Sequence, residues 1–253
     1  MMRISAKQFT LVTLVSVLSG CGGGGADNNT PPGSTHGWAG VSGSTTVDQP
    51  GTYGTRGIAA PANVPGARGR AVSWIDSSGK LWLFGGNGTD SAGSGGWLND
   101  LWKYDPTTLE WTWVSGSNTV NQLGTYGTKG LAAPANVPGA RGGAISWIDS
   151  SGCLWLFGGV GYDLTAYYPS IVFMDLWKYD PATLEWTWAS GSRSTNRAGI
   201  YGTKDTAALS NIPGARDSAV AWRDSSGNLW LFGGFGLDSA GSAGGLNDLW
   251  HFR

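Results

Sequence analysis

This sequence predicts an all-β chain, assembled from short antiparallel strands in three repeats. Two observations carry the prediction. The segment GTYGTKGLAAPANVPGAR at Gly124–Arg141 has near-copies at Gly51–Arg68 and Gly199–Arg216, and the similarity continues on both sides at a spacing of 73 to 75 residues. The chain also holds 43 glycines and 15 tryptophans in 253 residues; glycine supplies tight turns, and tryptophan supplies large rigid surfaces for packing between sheets. Every tryptophan except Trp97 falls on a repeat position, so tryptophan is structural here first.

Each repeat opens with the Gly- and Pro-rich tract, which has neither a two-residue nor a 3.6-residue period and reads as a connection. Ala71–Ile75 and Leu81–Phe84 follow as strands around Asp76-Ser77-Ser78-Gly79, a short polar turn ending in Gly. A second Gly-rich loop, Asn87–Leu98, leads to strands at Asp100–Tyr104 and Leu109–Val114. These flank Asp105-Pro106-Thr107-Thr108, a tight turn with Pro at its second position. Pairing across that turn sets Lys103 opposite Glu110 and Trp102 opposite Trp111. Four antiparallel strands per repeat put both long connections on one face and both tight turns on the other. The third repeat stops after its third strand at Asp248–Phe252, while Trp38–Ser44 aligns with Trp111–Ser117. Trp38–Ser42 is therefore expected to pair with Asp248–Phe252 as the missing outer strand, supplied by the same chain or by a second one.

The beginning of the chain is an address. Arg3 and Lys7 precede the apolar stretch Phe9–Leu18, too short to span a bilayer, and Leu18-Ser19-Gly20-Cys21 closes it. This order resembles the signal peptide and lipobox of bacterial lipoproteins, in which the cysteine becomes the lipid-modified first residue. The resemblance implies a signal peptide over 1–21 with lipidation at Cys21, a flexible Gly/Pro-rich tether over 22–36 and a folded domain over 37–253. It implies a bacterial envelope location with the N-terminal lipid as the only membrane contact. Gly22, where an Asp would favour inner-membrane retention, points to the outer membrane.

A net charge of −1 offers no field for nucleic acid. Lipidation of Cys21 leaves Cys153 alone, beside a turn and in the place held by Lys80 and Asn228 in the other copies, which is a poor setting for a catalytic thiol. The two histidines, His36 and His251, lie one position out of register on the expected outer pair and so point to opposite faces. Asp90 and Asp238 bring one carboxylate per loop, too few oxygens for calcium. The sequence assigns no catalytic residue, no metal and no cofactor.

The elements LWLFGG at Leu81–Gly86, NDLW at Asn99–Trp102 and YDP at Tyr104–Pro106 resemble the kelch repeat, over nearly all of Gly37–Arg253. That family builds β-propellers from four-stranded blades and contains both galactose-oxidase-like enzymes and interaction modules. The resemblance implies three four-stranded antiparallel blades, the last completed by the N-terminal strand. Propellers have about four to eight blades, so loops that fill in, a homodimer with a six-bladed ring, and descent from a longer array all remain open. Each opening tract ends in Pro-Gly-Ala-Arg and delivers Arg68, Arg141 and Arg216 to the start of the innermost strand. Those arginines, with Tyr53, Tyr126 and Tyr201, form a shallow carboxylate or sugar site or else fasten the loop to its blade. The second loop of the middle copy, Val160–Met174, differs from the others and offers Tyr162, Tyr167, Tyr168 and Phe173 as aromatic anchors. The expected function is a non-enzymatic module that binds an envelope protein or glycan through its long-loop face. A metal-free sugar-processing enzyme using the axial arginines and carboxylates is the alternative.

Overall fold

Short polar turns between runs of Trp, Leu and Phe produce the expected hairpins in a computed structural model that describes residues 37–162 and 171–252. In repeat 1, β1 (Val72–Ile75), β2 (Leu81–Thr89), β3 (Gly95–Asp105) and β4 (Glu110–Ser115) pair antiparallel in sequence order. Repeat 2 gives β5 (Ile145–Ile148), β6 (Leu154–Phe157), β7 (Leu176–Asp180) and β8 (Glu185–Ser190) with the same pairings. Repeat 3 gives β9 (Val220–Arg223), β10 (Leu229–Leu237) and β11 (Ala243–Phe252). The described residues contain no helix.

Burial then stacks the sheets face to face. One core cluster joins Val72, Trp74, Phe84 and Leu101 of repeat 1 to Leu154, Leu156, Tyr179 and Trp186 of repeat 2. A second joins Ile145, Trp147, Phe157 and Leu176 to Leu229 and Leu231 of repeat 3. The same positions recur in each contact, so repeat 2 offers one side to repeat 3 and the other to repeat 1. A buried residue of this size contributes roughly 1.5–3 kcal/mol. Trp74 adds an inter-repeat hydrogen bond, its Nε1 donating to Trp147 O at 3.1 Å. The arrangement is all-β and propeller-like.

Three expectations are corrected. The second loop of repeat 1 is mostly strand: Asn87, Gly88 and Thr89 pair with Trp97, Gly96 and Gly95, leaving a short turn at Asp90–Ser94. A bulge at Gly85 and Gly86 (φ 62° and 103°) bends the hairpin there and breaks the alternation by which a strand is read. The register across the β3–β4 turn is Asp105 with Glu110, Lys103 with Thr112 and Trp102 with Trp113. Leu109, at φ 61°, belongs to the turn and not to the strand, which shifts every pair.

The third correction concerns the outer strand. The chain divides into Met1–Gly40 and Val41–Arg253. Residues 37–40 carry no strand, Trp38 is fully exposed, and residues 41–50 are irregular. Among the described residues β11 has β10 as its ladder partner and Trp38–Ser42 carries no strand, so the same-chain form of the expected pairing is not formed.

Candidate functional site

The long opening tracts are built into the sheets. In repeat 1 the tract closes on itself where Thr52 bridges Val64, then adds Ala59–Ala60 to the outer edge of β4. Asn63 secures that edge, its Nδ2 donating to Ile58 O at 2.9 Å and to Trp111 O at 3.0 Å. Repeat 2 does the same through Ala132–Ala133 and Asn136.

Each tract then returns inward and ends on its arginine. Arg141 Nη1 and Nη2 donate to Asp175 Oδ1 and Oδ2 at 2.5 and 2.8 Å, Nη1 also to Gly158 O at 3.0 Å, and Nε to Gly139 O at 2.9 Å. Both side chains are 0% exposed, and the guanidinium lies 3.8 Å from the Phe173 ring centroid. Asp175 Oδ2 further accepts from Tyr126 Oη at 2.6 Å and Trp177 Nε1 at 2.8 Å. Arg68, Tyr53 and Trp102 surround Asp100 in the same way, as do Arg216, Tyr201 and Trp250 around Asp248.

The electrostatics follow from this packing. Burial, with the adjacent Asp175, pushes the Tyr126 hydroxyl well above its usual range, and Tyr53 and Tyr201 move the same way. Burial alone would raise Asp248, but the bonds from Arg216, Tyr201 and Trp250 outweigh it and hold the carboxyl down at about 2. The six residues expected at a ligand site are thus brought together in pairs around three aspartates, with their polar atoms turned inward. A guanidinium already shared between a carboxylate and two carbonyls has little left for a ligand. Asp100, Asp175 and Asp248 are the residues that sequence reasoning missed, although each stands in a recurring Asn-Asp-Leu-Trp or Met-Asp-Leu-Trp.

Nearer the centre, backbone bonds tie the repeats together: Gly143 N donates to Arg70 O at 2.8 Å and Ser218 N to Gly143 O at 2.9 Å. Arg70 Nη2 reaches Asp217 Oδ2 at 2.9 Å, joining repeats 1 and 3 with a half-exposed guanidinium. At the opposite end, β1, β5 and β9 enclose an open groove of about 340 Å³ lined by Trp74, Trp147 and Trp222. A second groove of about 340 Å³ lies on repeat 3, lined by Tyr201, Asp238 and residues 242–248.

Other candidates are placed as follows. Tyr162 is half-buried, Phe173 is buried under Arg141 and so is no exposed anchor, and Tyr167 and Tyr168 lie outside the described residues, as does Cys21. Cys153 is buried; its burial, with Asp149 and Asp180 nearby, pushes the thiol up and keeps it protonated. Among the described residues no group of three His, Cys, Asp or Glu converges on a metal position.

No family model matches the chain, and no curated protein does. Among solved structures, that of YjhT is similar at 18% identity over 73% of this chain, with a TM-score of 0.44. The match covers 53% of that protein, so this chain spans about half its length.

Proposed function

We propose that the chain is a kelch-type propeller protein, held in the bacterial envelope by lipid at Cys21, that binds an envelope protein or glycan through its long-loop face without catalysing a reaction. The observation that carries this reading is the threefold Arg–Asp–Tyr–Trp cluster. It uses the convergent charged groups of the loop face to fix loop shape, and a rigid loop surface binds at low entropic cost. Selectivity is assigned to the loop that differs between copies, with Tyr162, Tyr167 and Tyr168 as the contacts.

The test is binding of the full-length protein to immobilised envelope glycans and purified envelope proteins, with acyl mass at Cys21 confirmed on the same preparation. Tyr162→Ala, Tyr167→Ala and Tyr168→Ala together should weaken binding about tenfold or more, the cost of two or three aromatic contacts. Binding that is indifferent to all three substitutions would reject this face. The enzymatic alternative has one observation in its favour, the partly open Arg70–Asp217 pair. Turnover of a glycan lost in Asp217→Asn would replace the binding reading.

A further inference from the structure

We infer that the outer side of repeat 3 is the docking site for repeat 1 of a second copy of this chain, so that two copies close one ring. The inference does not depend on what the loop face binds.

The sheet surface is the first sign. Val220, Trp222, Phe232 and Leu249 occupy the positions of Val72, Trp74, Phe84 and Leu101, which repeat 2 covers. Trp222 is 52% exposed where Trp74 is 5%, and Leu249 is 58% exposed where Leu101 is 0%. The receiving side is open on repeat 1: Leu81 is 39% exposed, whereas its equivalents Leu154 and Leu229 are buried beneath the preceding repeat. The two uncovered faces are therefore the two halves of a contact that the chain already makes twice.

The connector ahead of repeat 1 is shaped for the same contact. Between repeats 1 and 2 the connector Gly116–Asn121 sits on repeat 1: Ser117 N donates to Asn99 Oδ1, Val120 N to Asp90 Oδ2 and Asn121 N to Trp97 O, while Trp97 N donates to Asn121 Oδ1. Gly43–Asp48 aligns with it residue for residue and has the same conformation. Gly43 and Asp48 have φ 91° and 54°, against 79° and 60° for Gly116 and Asn121. The Ser44–Thr46 and Gln49–Val47 side-chain bonds reproduce Ser117–Thr119 and Gln122–Val120. Yet Val47 is exposed. A left-handed aspartate is an uncommon backbone state that persists where its surroundings hold it.

Repeat 3 has that seat. The groove lined by Tyr201, Asp238 and residues 242–248 contains Asp238, Gly245 and Asn247, the equivalents of Asp90, Trp97 and Asn99. Two further positions in repeat 3 await the same neighbour. Asn211 Nδ2 donates to Thr206 O, but lacks the second bond that Asn63 and Asn136 make to an outer strand. A Cβ on Gly85 or Gly158 would meet the next repeat's Arg141 or Arg216 carbonyl, whereas at Gly233 it meets only Leu246 of its own repeat. Upstream, Trp38–Ser42 aligns with Trp111–Ser115, a strand with no counterpart among the described residues of repeat 3. Closed propellers have about four to eight blades, and two copies of the three described sheets make six. A contact between different faces closes when the rotation permits.

Gly244→Leu separates this docking from folding. In repeat 1 a Cβ at the equivalent Gly96 would lie 2.8 Å from Asn121 Oδ1 and 2.9 Å from Val120 Cβ, in the connector itself, but at Gly244 it meets nothing within 4 Å. The full-length wild-type protein should sediment as a dimer and Gly244→Leu as a folded monomer with an unchanged circular dichroism spectrum. Amide exchange supplies the second readout: Ser44, Val47 and Asp48 should be protected in wild type and exchange at least tenfold faster in Gly244→Leu. A monomeric wild type, a dimer that survives Gly244→Leu, or a dimer whose residues 43–48 exchange freely would each overturn the inference.

Discussion

Arg68, Arg141 and Arg216 meet their aspartates as buried, bidentate pairs, and their value is best seen by breaking one. Arg141→Ala would leave Asp175 buried and without its main partner, and breaking a buried pair from one side costs about 3–5 kcal/mol. Urea denaturation should show that loss, with Arg141→Lys also destabilised because an ammonium cannot reproduce the two-pronged bond. Acid should act on Asp248. Its folded carboxyl titrates at about 2 against 3.8 for an ordinary aspartate, so its stabilising contribution is complete above 3.8 and is lost as pH falls towards 2. Asp248→Asn should flatten the stability profile in that window, and an unchanged profile would contradict the assignment. The arginines and tyrosines were legible in the sequence because they end or open a repeated tract. Their aspartates were not, because the Gly85–Gly86 bulge precedes strand β3 and breaks the alternation that tells which side chains share a face.

Hairpin geometry explains the register that the sequence reading misplaced. Asp105-Pro106 signals a turn start correctly, and four residues, Pro106 to Leu109, separate the paired Asp105 and Glu110. A four-residue loop built on a type I turn can bring its last residue into the left-handed region, and here that residue is a leucine, a bulky side chain that is uncommon at φ 61°. Leu184 repeats it at φ 62°. Because Leu109 is exposed, Leu109→Gly relieves backbone strain with little packing loss and should stabilise the protein by about 0.5–1 kcal/mol. Thermal unfolding checks this; a lowered melting temperature would mean that the leucine makes a contact worth more than its strain. The Asp76 turn was easier to read, since a polar run ending in Gly has one plain meaning. Asp76 fastens it, accepting from Ser78 and Lys80 backbone N–H groups and from Trp82 Nε1.

At the scale of the whole molecule, the threefold repeat was visible as sequence identity, and the stacking of sheets followed from where Trp, Leu and Phe recur. What the sequence could not show is which copies of a repeated face remain uncovered, because Trp74, Trp147 and Trp222 are the same residue in the same motif and differ only in their neighbour. The structure distinguishes them: Trp222 and Leu249 face outward, and the connector from Gly43 to Asp48 holds the bend of its seated counterpart. The central claim is that two such chains complete one propeller. Single-particle electron microscopy of the full-length protein tests it most directly. The account predicts a closed ring of six sheets with twofold symmetry, built from two chains of 26.3 kDa before processing. An open arc of three sheets, or a ring closed by three sheets of one chain, would contradict it.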